Sequence, residues 1–429
     1  MKVLILTAGS QGDIQPFVAL AEGLRRDGDD AVVVAPPRFR SLVLSRGVEF
    51  VPLDSFDMNR VAEAMLDAHG PHRFLRLASS MGQLANGTLA GVRSAATDID
   101  LVVHHPLIPL GQHLAESLAV PAVAATTIPA YVPTRRFPSP QWAATIRLPG
   151  PINMLSYYAT RWVIAAPCRR EIDHWRTHEA GLARRRGRHD PLKDVFGQAV
   201  PVLHAFSRHI LPPPDDWPDT AQVTGYWFLP TPDTWQPPDK LARFLAAGPP
   251  PVYIGLGSTS LGEPGPLVAS VEQAVTRLGI RALVSRGYRG LTGLGHSERM
   301  LQIGNVPHDW LFPRVRAVVH HGGVGTGAAA LAAGRPQIIC PAGVDQPFWG
   351  HRMHELGVAP TALPLRSLNA AGLEQALRQV IENPAMTERS AALARDINAE
   401  DGVKTAISAL HHARSNGSGP WPGAHSAFP

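Results

Sequence analysis

The chain has 429 residues, which is too many for one ordinary hydrophobic core and enough for two domains. Hydrophobic residues make up 45% of the chain and charged residues 17%, a globular composition that excludes an intrinsically disordered protein. The net charge of +5 is a mild basic excess, and the one basic run, at 184–188, lacks interleaved aromatic residues, which argues against a nucleic-acid partner.

The first predicted elements alternate between strand and helix. Residues 2–7 form an unbroken apolar run, typical of a buried parallel strand, and lead into a glycine turn without a signal-peptide cleavage site. A helix follows that ends near Gly28, and strands are predicted at 31–35 and 48–52. This alternation predicts a doubly wound parallel sheet, whose ligands bind beyond the carboxyl ends of the strands.

Asp13 follows the first predicted strand, at the edge where such a sheet binds its ligands. Its carboxylate could act as a general base toward an alcohol, but it could equally cap the helix that begins here. Pro16 supports a helix start under either interpretation. A carboxylate used as a base needs a raised pKa or a partner that stabilises the proton.

Two aspartates, Asp98 and Asp100, precede the apolar strand predicted at 101–104. An Asp-x-Asp pair can hold a divalent metal ion in some enzymes. Its position in a helix-to-strand turn favours turn capping instead, so no metal site is predicted. The strand itself ends in His104 and His105.

The middle of the chain is the least readable part. Prolines break residues 128–151 into loops, and residues 155–175 have helical character with several aromatic side chains. These aromatics could face a hydrophobic ligand or simply form core, and the sequence does not separate the two. The proline-dense stretch 211–238 excludes regular helix and central strand, and predicts an interdomain linker.

The second half repeats the pattern of the first, with a strand and a glycine turn at 251–259, as a twin Rossmann-like architecture predicts. Its densest motif lies at 315–354, where a short apolar strand is followed by two histidines, a glycine-rich turn and an alanine-rich helix. A helix N-terminus offers unpaired N–H groups, and glycines let a phosphate approach them. His321 and Thr326 each add a side-chain donor. The turn predicts a phosphate site, although a glycine turn alone is more often structural.

The next strand, at 337–340, leads into a loop with Asp345 and Gln346 side by side. A carboxylate beside a carboxamide at the carboxyl end of a strand can bind adjacent hydroxyl groups, as on a sugar. Asp345 could instead be only a helix cap. Phosphate donors and hydroxyl-binding groups within one strand–helix–strand unit together indicate a nucleotide sugar.

This stretch resembles the donor-binding signature of the family 1 glycosyltransferases. The resemblance rests on the histidine–glycine motif at 320–326 and on Pro341 with the run at 343–350. The most similar members are the sterol glucosyltransferases and the bacterial enzymes that glycosylate antibiotics and other natural products. The resemblance implies the GT-B fold, an α/β architecture of two facing Rossmann-like domains with the active site in the cleft between them.

The resemblance also implies how the chain is divided. Residues 1–210 would form the acceptor-binding domain, 211–238 the linker and 239–400 the domain that binds the nucleotide sugar. A last helix at 401–414 would return to pack on the first domain. Residues 415–429 are rich in Gly, Ser and Pro and predict a disordered tail.

Each site residue acquires a role from the resemblance. Asp13 would remove the proton of the acceptor hydroxyl, while Asp345 and Gln346 would orient the sugar. The other predicted donor-binding residues would contact the diphosphate or the base: Ser258, Val306, His308, His321, Gly323, Gly325 and Thr326. The segment near the base differs from plant-type members, which leaves the choice between UDP and dTDP open.

Many family members have a histidine where this chain has Asp13, and support it with an aspartate at the end of the strand that ends here in His104. This reciprocal exchange suggests a catalytic dyad of Asp13 and His104. The alternative is that His104 or His105 lines the acceptor pocket or caps the next helix.

The sequence thus predicts an inverting glycosyltransferase that moves a hexose, expected to come from UDP-glucose, onto a lipophilic acceptor such as a sterol, terpenoid, polyketide or phenol. A sugar-nucleotide epimerase of the same architecture is the main alternative. A catalytically silent partner protein or an NAD-dependent oxidoreductase is less favoured, because the turn at 9–12 lacks the dinucleotide spacing. No resident cofactor and no metal are expected.

The expected partners are therefore the nucleotide sugar and the acceptor, with no nucleic acid. Two cysteines, Cys168 and Cys340, fit neither a disulfide framework nor a metal site, so the cytoplasm is the expected location. No apolar run approaches the length of a membrane span, which leaves at most peripheral membrane contact. A monomer or a homodimer is expected.

Overall fold

A computed structural model of the protein describes residues 1–53, 92, 97–142, 148–185, 189–194, 196–256, 265–286 and 297–416. Within these ranges the chain forms two parallel sheets, one of seven strands and one of five. The expected α/β class is confirmed. All strand pairs in both sheets are parallel. After each strand the chain crosses back over the sheet, so that the next strand starts from the same end of the sheet as the one before it.

The N-terminal sheet has the strand order β3-β2-β1-β4-β5-β6-β7. Its strands are β1 (Lys2–Leu6), β2 (Asp30–Ala35), β3 (Glu49–Pro52), β4 (Leu101–His104), β5 (Ala122–Thr126), β6 (Val202–His204) and β7 (Ala221–Val223). The helices of this half are α1 (Gln11–Arg26), α2 (Arg40–Leu44), α3 (Gly111–Leu118), α4 (Gly150–Ala165) and α5 (Arg169–His178). Unbroken apolar strands are required here because helices cover both faces of the sheet.

The C-terminal sheet has the order β10-β9-β8-β11-β12, so β11 lies beside β8 as β4 lies beside β1. Its strands are β8 (Val252–Gly255), β9 (Ala282–Ser285), β10 (Met300–Ile303), β11 (Ala317–His320) and β12 (Gln337–Ile339). The helices are α6 (Asp239–Ala246), α7 (Gly265–Leu278), α8 (His308–Leu311), α9 (Val324–Ala332), α10 (Gln346–Glu355), α11 (Ala370–Glu382) and α12 (Pro384–Asn398).

The last helix, α13 (Gly402–Asn416), packs against α1 of the N-terminal half. Its residues Ile407 and Leu410 join the same buried cluster as Phe17 and Leu24 of α1. The His411 imidazole lies 2.7 Å from the Asp29 carboxylate, whose other oxygen holds the amino terminus of the chain at 2.5 Å. Both ends of the described chain are therefore fixed to one face of the first sheet. Of residues 415–429, expected to be a tail, the first two continue α13, and 417–429 lie outside the described residues.

The stretch expected to be a linker contains a strand. β7 lies within 211–238 and pairs with β6 at the edge of the first sheet. The expectation excluded only a regular helix and a central strand; an edge strand is compatible with it, because Ala221–Val223 falls in a proline-free window and an edge strand needs only one ladder of hydrogen bonds. The chain reaches the second half near Thr231, whose N–H donates to the Asp309 carboxylate at 2.7 Å.

Asp98 and Asp100 lie in the turn before β4. The Asp100 carboxylate accepts the Lys2 N–H at 2.7 Å and a guanidinium hydrogen bond from Arg414 at 2.9 Å. Asp98 adopts a positive φ of 59° in an exposed turn. Both aspartates are thus used as turn residues. None of the described helices is both long and apolar enough to cross a bilayer.

Candidate active site

The carboxyl ends of the two sheets face each other across an interdomain cleft. β1 leads into the N-terminus of α1, and β11 leads through a glycine turn into the N-terminus of α9. The two helix starts meet at glycines, since a Cβ added to Gly325 would lie 3.5 Å from the Gly12 Cα. Beside them, the ring of Phe137 lies 5.3 Å from that of Phe348 in the other domain. Two N-termini that face one gap make it favourable for negative charge.

Asp13 occupies the third position of α1 and completes a capping box with Ser10. Its Oδ2 accepts hydrogen bonds from the Ser10 N–H at 2.7 Å and the Ser10 hydroxyl at 2.9 Å. The cap therefore holds the carboxylate at the mouth of the cleft. The two interpretations that the sequence left open are compatible, because the capping contacts named here use one carboxylate oxygen.

The surroundings of Asp13 favour a proton acceptor. Burial raises the pKa of this carboxyl above its ordinary value, against the opposing effects of the Ser10 hydrogen bonds and the Arg38 guanidinium. Arg38 is itself fixed by a hydrogen bond to the Gly9 carbonyl at 2.7 Å. The buried Tyr131 is close enough for the charges of Asp13 and Asp345 to raise its own phenol pKa.

His104 does not support Asp13 in this structure. It pairs with Leu6 in the sheet and belongs to the face that carries Val102 and Ala124, whereas α1 covers the opposite face. Both ring nitrogens of His104 are buried, and within the described residues neither has a hydrogen-bond partner. Burial lowers its pKa to about 4, so the ring is neutral. His104 is therefore not hydrogen-bonded to Asp13 here, because side chains alternate between the faces of a strand, and the dyad stays a prediction.

The neighbouring histidine lies on the side of α1. The His105 ring packs edge-on against Phe17 at 6.0 Å and against Tyr131 at 5.9 Å. Its Nδ1 accepts the Leu107 N–H at 3.1 Å, which leaves the proton on Nε2. His105 thus positions Tyr131 through ring packing.

The glycine turn of the second domain is built on His320. Its Nδ1 accepts the Gly322 N–H at 3.1 Å, and its Nε2 donates to the Gln337 side chain at 2.8 Å. Gly322 has a φ of 94°, and a Cβ there would lie 2.9 Å from Ile339, so only glycine fits. The turn directs the chain into α9 with Gly323 as the residue before the first turn.

The first turn of α9 exposes backbone donors toward the cleft. The first helical hydrogen bond recorded at this end is the one that the Gly327 N–H donates to the Gly323 carbonyl, at 3.0 Å. The N–H groups of Val324, Gly325 and Thr326 precede it, which is the usual arrangement at a helix N-terminus. Backbone N–H groups at a helix start and a glycine that admits close approach together make an anion site.

His321 packs directly over this turn, because a Cβ on Gly323 would lie 2.5 Å from its Nε2. Burial lowers the His321 pKa to about 4, so the imidazole is neutral at physiological pH. Its Nδ1 is buried and lacks a partner among the described residues. A neutral imidazole can give one N–H to an anionic ligand.

His308 begins α8 after Pro307 and stacks on Phe312 with ring centroids 4.3 Å apart. Burial lowers its pKa to about 4, and the neighbouring His321 contributes to that shift. The structure therefore places these two histidines on one wall of the site. Val306 is half-buried and packs against the apolar cluster that contains Phe312.

The loop before α10 carries Asp345 and Gln346. The Asp345 carboxylate accepts the Trp349 indole N–H at 2.9 Å. Burial raises its pKa to about 6, and the charge of Asp13 across the cleft adds to the shift. The Gln346 carbonyl oxygen accepts the Ala342 N–H at 2.8 Å, so this oxygen holds the loop and the amide NH₂ is the group left for a ligand.

Ser258 lies outside the described residues. The remaining predicted donor-side residues all lie at the carboxyl end of the second sheet, opposite Asp13. Two family profiles match parts of this chain. Residues 3–135 match the profile of the glycosyltransferase family 28 N-terminal domain, and residues 289–412 match that of the erythromycin biosynthesis protein CIII-like C-terminal domain.

Relatives and solved structures cover nearly the whole chain. A sterol 3-beta-glucosyltransferase of Emericella nidulans is 33% identical over 96% of the chain. A sterol 3-beta-glucosyltransferase of Yarrowia lipolytica is 34% identical over the same share. The two profiles and these relatives support a family 1 glycosyltransferase, and solved structures share the GT-B fold. It spans about 30% of the length of the first of these relatives and 29% of the second.

Solved GT-B glycosyltransferases have the same fold over their whole length. The glycotransferase of kitacinnamycin has a TM-score of 0.72 at 18% identity, covering 96% of this chain and 98% of that one. The calicheamicin glycosyltransferase CalG4 has a TM-score of 0.70 at 18% identity, covering 97% and 99%. VinC, solved in complex with dTDP, has a TM-score of 0.68 at 20% identity, covering 97% and 100%.

Four supporting residues of this GT-B site were not expected from sequence. Ser10 and Arg38 surround Asp13, Trp349 holds Asp345, and Gln337 holds His320. Of these, Ser10 had a usable signal, since Ser three residues before an acidic residue at a helix start is a capping box. The Trp349 contact is also local, since Trp349 lies four residues after Asp345 at the start of α10, whereas the Arg38 and Gln337 contacts cross between elements and leave no mark in the local pattern.

Proposed function

We propose that this protein is an inverting glycosyltransferase that moves a hexose from a nucleoside diphosphate onto a hydroxyl of a lipophilic acceptor. The observation that carries the proposal is the placement of Asp13 at one helix N-terminus, with the N-terminus of α9 and its glycine turn directly across the cleft. A base and an anion site that share one gap are what glycosyl transfer from a diphosphate requires.

On the donor side, the diphosphate would lie against the N–H groups of Val324, Gly325 and Thr326. His321 adds one neutral N–H from above the turn, and Ser258 is proposed as a further hydroxyl donor. As the glycosidic bond to the diphosphate breaks, negative charge grows on the leaving oxygen. Donors already fixed in that direction stabilise the charge without reorganisation, an effect of about 3 kcal/mol for one such donor.

On the acceptor side, Asp13 takes the hydroxyl proton while the oxygen attacks the anomeric carbon from the face opposite the leaving diphosphate. One bond forms as the other breaks, so the configuration inverts. The raised pKa of the Asp13 carboxyl makes it a better base than an exposed aspartate. Asp345 and the Gln346 amide would bind the sugar hydroxyls.

The names of the relatives support a particular donor and acceptor. Two relatives that align with 96% of the chain are sterol 3-beta-glucosyltransferases, which favours glucose as the sugar and a sterol-like alcohol as the acceptor. UDP-glucose is the proposed donor. The dTDP bound to VinC makes a dTDP-sugar the alternative, and His308 with Val306 are the residues proposed to lie beside the base.

Asp13→Asn should abolish transfer while donor binding survives, because the amide keeps the shape of the cap but cannot accept a proton. The expected loss in kcat is about 10²–10⁴-fold. Release of nucleoside diphosphate is measured with a panel of hydrophobic alcohols, and donor affinity is measured by calorimetry. Asp98→Asn, the same change in an exposed turn, is the matched control. Loss of donor binding in Asp13→Asn would show a structural role instead, and release or epimerisation without an acceptor would favour the epimerase.

We propose that no metal assists the diphosphate, because the backbone donors of α9 and His321 supply the stabilisation that a divalent ion would otherwise give. Full turnover should persist in excess chelator. The measurement is initial rate with and without EDTA after dialysis, with added Mg²⁺ as the reciprocal arm. A rate that collapses with chelator and returns with Mg²⁺ would show metal dependence.

A further inference from the structure

Helix α4 has an apolar face that is open to solvent. Nine large apolar side chains are exposed among the described residues, and five of them lie on α4 or in the turn before it. This cluster, here called the α4 stripe, consists of Trp142, Ile152, Leu155, Tyr158 and Trp162, with exposures of 57%, 49%, 65%, 42% and 52%. Such a concentration on one element marks an interaction surface.

The spacing shows that the stripe is a helix face. Ile152, Leu155 and Trp162 are separated by three and then seven residues, so they lie above one another on one side of α4. Tyr158 borders them. The opposite side of the helix is buried and includes Tyr157 and Ile164. α4 is therefore apolar on two sides, although only one of them meets the core.

Arginine side chains lie at the two ends of the α4 stripe. α4 contains no acidic residue, and its one charged side chain, Arg161, is buried beside Asp190. Exposed Arg135 lies next to the start of α4, with its Nε 3.4 Å from the Met154 sulfur. Exposed Arg169 and Arg170 follow its end. Tryptophan and tyrosine between arginines form the composition that favours an anionic lipid interface.

The stripe is also next to the cleft. On the buried side of α4, the Tyr157 hydroxyl donates to the Phe137 carbonyl at 3.1 Å. Phe137 is the residue whose ring meets Phe348 across the domain boundary. One loop therefore joins the back of α4 to the edge of the active-site cleft.

We propose that the α4 stripe is a docking surface for an anionic phospholipid membrane, through which the enzyme meets a lipophilic acceptor at the bilayer surface. Membrane docking does not depend on the proposed function; only the statement about the lipophilic acceptor rests on it. The helix would lie in the headgroup region with Leu155 and Trp162 inserted and the flanking arginines on lipid phosphates.

A bilayer fits the stripe better than a second copy of the chain does. Two copies related by a twofold axis would bring Arg135, Arg169 and Arg170 toward their equivalents, and like charges at the rim of an interface oppose association. The α4 sequence offers no acidic side chain to offset them, and Asp215, the acid beside Arg136, is already paired with it at 2.9 Å.

The test uses the full chain and sedimentation with vesicles of phosphatidylcholine, either pure or containing phosphatidylglycerol. The unsubstituted protein should bind the anionic vesicles more strongly. The double variant Ile152→Gln/Leu155→Gln should lower the partition coefficient by about tenfold or more, because two apolar side chains no longer enter the interface. Arg169→Gln/Arg170→Gln should remove much of the preference for anionic vesicles.

Leu44→Gln is the matched control, since Leu44 is 46% exposed and follows Val43, which packs on the other face of the sheet. Both double variants, one on α4 and one at the start of α5, replace exposed residues, so their melting temperatures should match the parent. Vesicle binding that is absent in the parent, or unchanged in Ile152→Gln/Leu155→Gln, overturns the proposal. If the parent does not bind vesicles, and Ile152→Gln/Leu155→Gln has a lower molar mass than the parent by light scattering, the stripe is an interface between two copies of the chain. That result overturns the proposal as well.

Glycosyl transfer is measured separately, with a water-soluble phenol and with a sterol held in vesicles. The stripe variant should keep its rate on the phenol and lose rate on the vesicle-bound sterol. Stripe-dependent vesicle binding without any glycosyl transfer would leave the docking surface standing and remove the proposed function.

Discussion

Asp345, proposed to bind the sugar, is a carboxylate whose burial disfavours folding at neutral pH. Its carboxylate is held by the Trp349 indole in a site that raises its pKa from 3.8 to about 6. A raised carboxyl pKa favours folding below about pH 4 and loses that contribution as pH rises through about 6. At neutral pH the ionised side chain therefore carries an unfavourable desolvation term, which a bound sugar hydroxyl would offset.

Asp345→Asn should therefore stabilise the free protein at pH 7 by on the order of 1 kcal/mol, after allowance for its partial exposure. The gain should vanish below about pH 4, where Asp345 is protonated in both states. Donor affinity should fall at the same time. Thermal melting at both pH values and calorimetry with UDP-glucose check this. Asp233→Asn, in an exposed loop, is the control. A variant that is less stable at pH 7 would contradict the assignment.

The turn into α9 needs glycine at position 323 because of the space around it, not because of its backbone conformation. Gly323 has an ordinary φ of −62°, so alanine is allowed there by the backbone. The space for a methyl group is taken by the His321 ring, 2.5 Å from the position of the added Cβ. The ring can rotate away, so the fold would survive and the imidazole would leave its place over the turn.

Gly323→Ala should weaken donor binding by about tenfold to a hundredfold, the loss of one hydrogen bond to a charged group. His321→Ala should cost about as much, and the double variant should cost no more than either, since both remove the same contact. Gly327→Ala is the matched control four residues on, where the nearest atom would lie at an ordinary 3.6 Å. It should stabilise α9 by up to about 1 kcal/mol. Additive losses in the double variant would place His321 away from the diphosphate.

The folding of the whole molecule places many histidines out of reach of solvent. Burial lowers the pKa of seven of them to about 3 or 4: His104, His105, His189, His204, His308, His320 and His321. Both domains contribute to this set. A histidine with a lowered pKa in the folded state contributes stability that is complete above about pH 6.5 and is lost as pH falls toward 4.

The melting temperature should therefore be level from about pH 8 to 7 and fall steeply between about pH 6.5 and 4.5. The raised pKa values of Asp13, Asp345 and Glu400 act in the opposite direction, but three carboxyls are outnumbered by seven imidazoles. Differential scanning fluorimetry across this range measures the effect, with reversibility checked by return to pH 7. A melting temperature that stays constant down to pH 5 would show that these rings are protonated or hydrated in the folded state.

The sequence by itself determined the α/β class and the glycine turn after β11, and it carried the resemblance to the family. These follow from contiguous patterns: apolar runs of strand length, alanine-rich helix formers, and a histidine–glycine motif whose chemistry lies within a few residues of one turn. The donor side of the site is predicted from the same kind of pattern, since His321, Thr326, Asp345 and Gln346 are close along the chain.

Only the tertiary structure decided the rest. The register of β4 against β1 places His104 on the face away from α1. β7, which lies within the expected linker, pairs with β6 at the edge of the first sheet. The Gln346 oxygen is used to hold its own loop, and the meeting of Gly12 with Gly325 places both helix starts on one cleft. These facts depend on pairings between residues far apart in the chain, whose energies come from packing and register that no local pattern records.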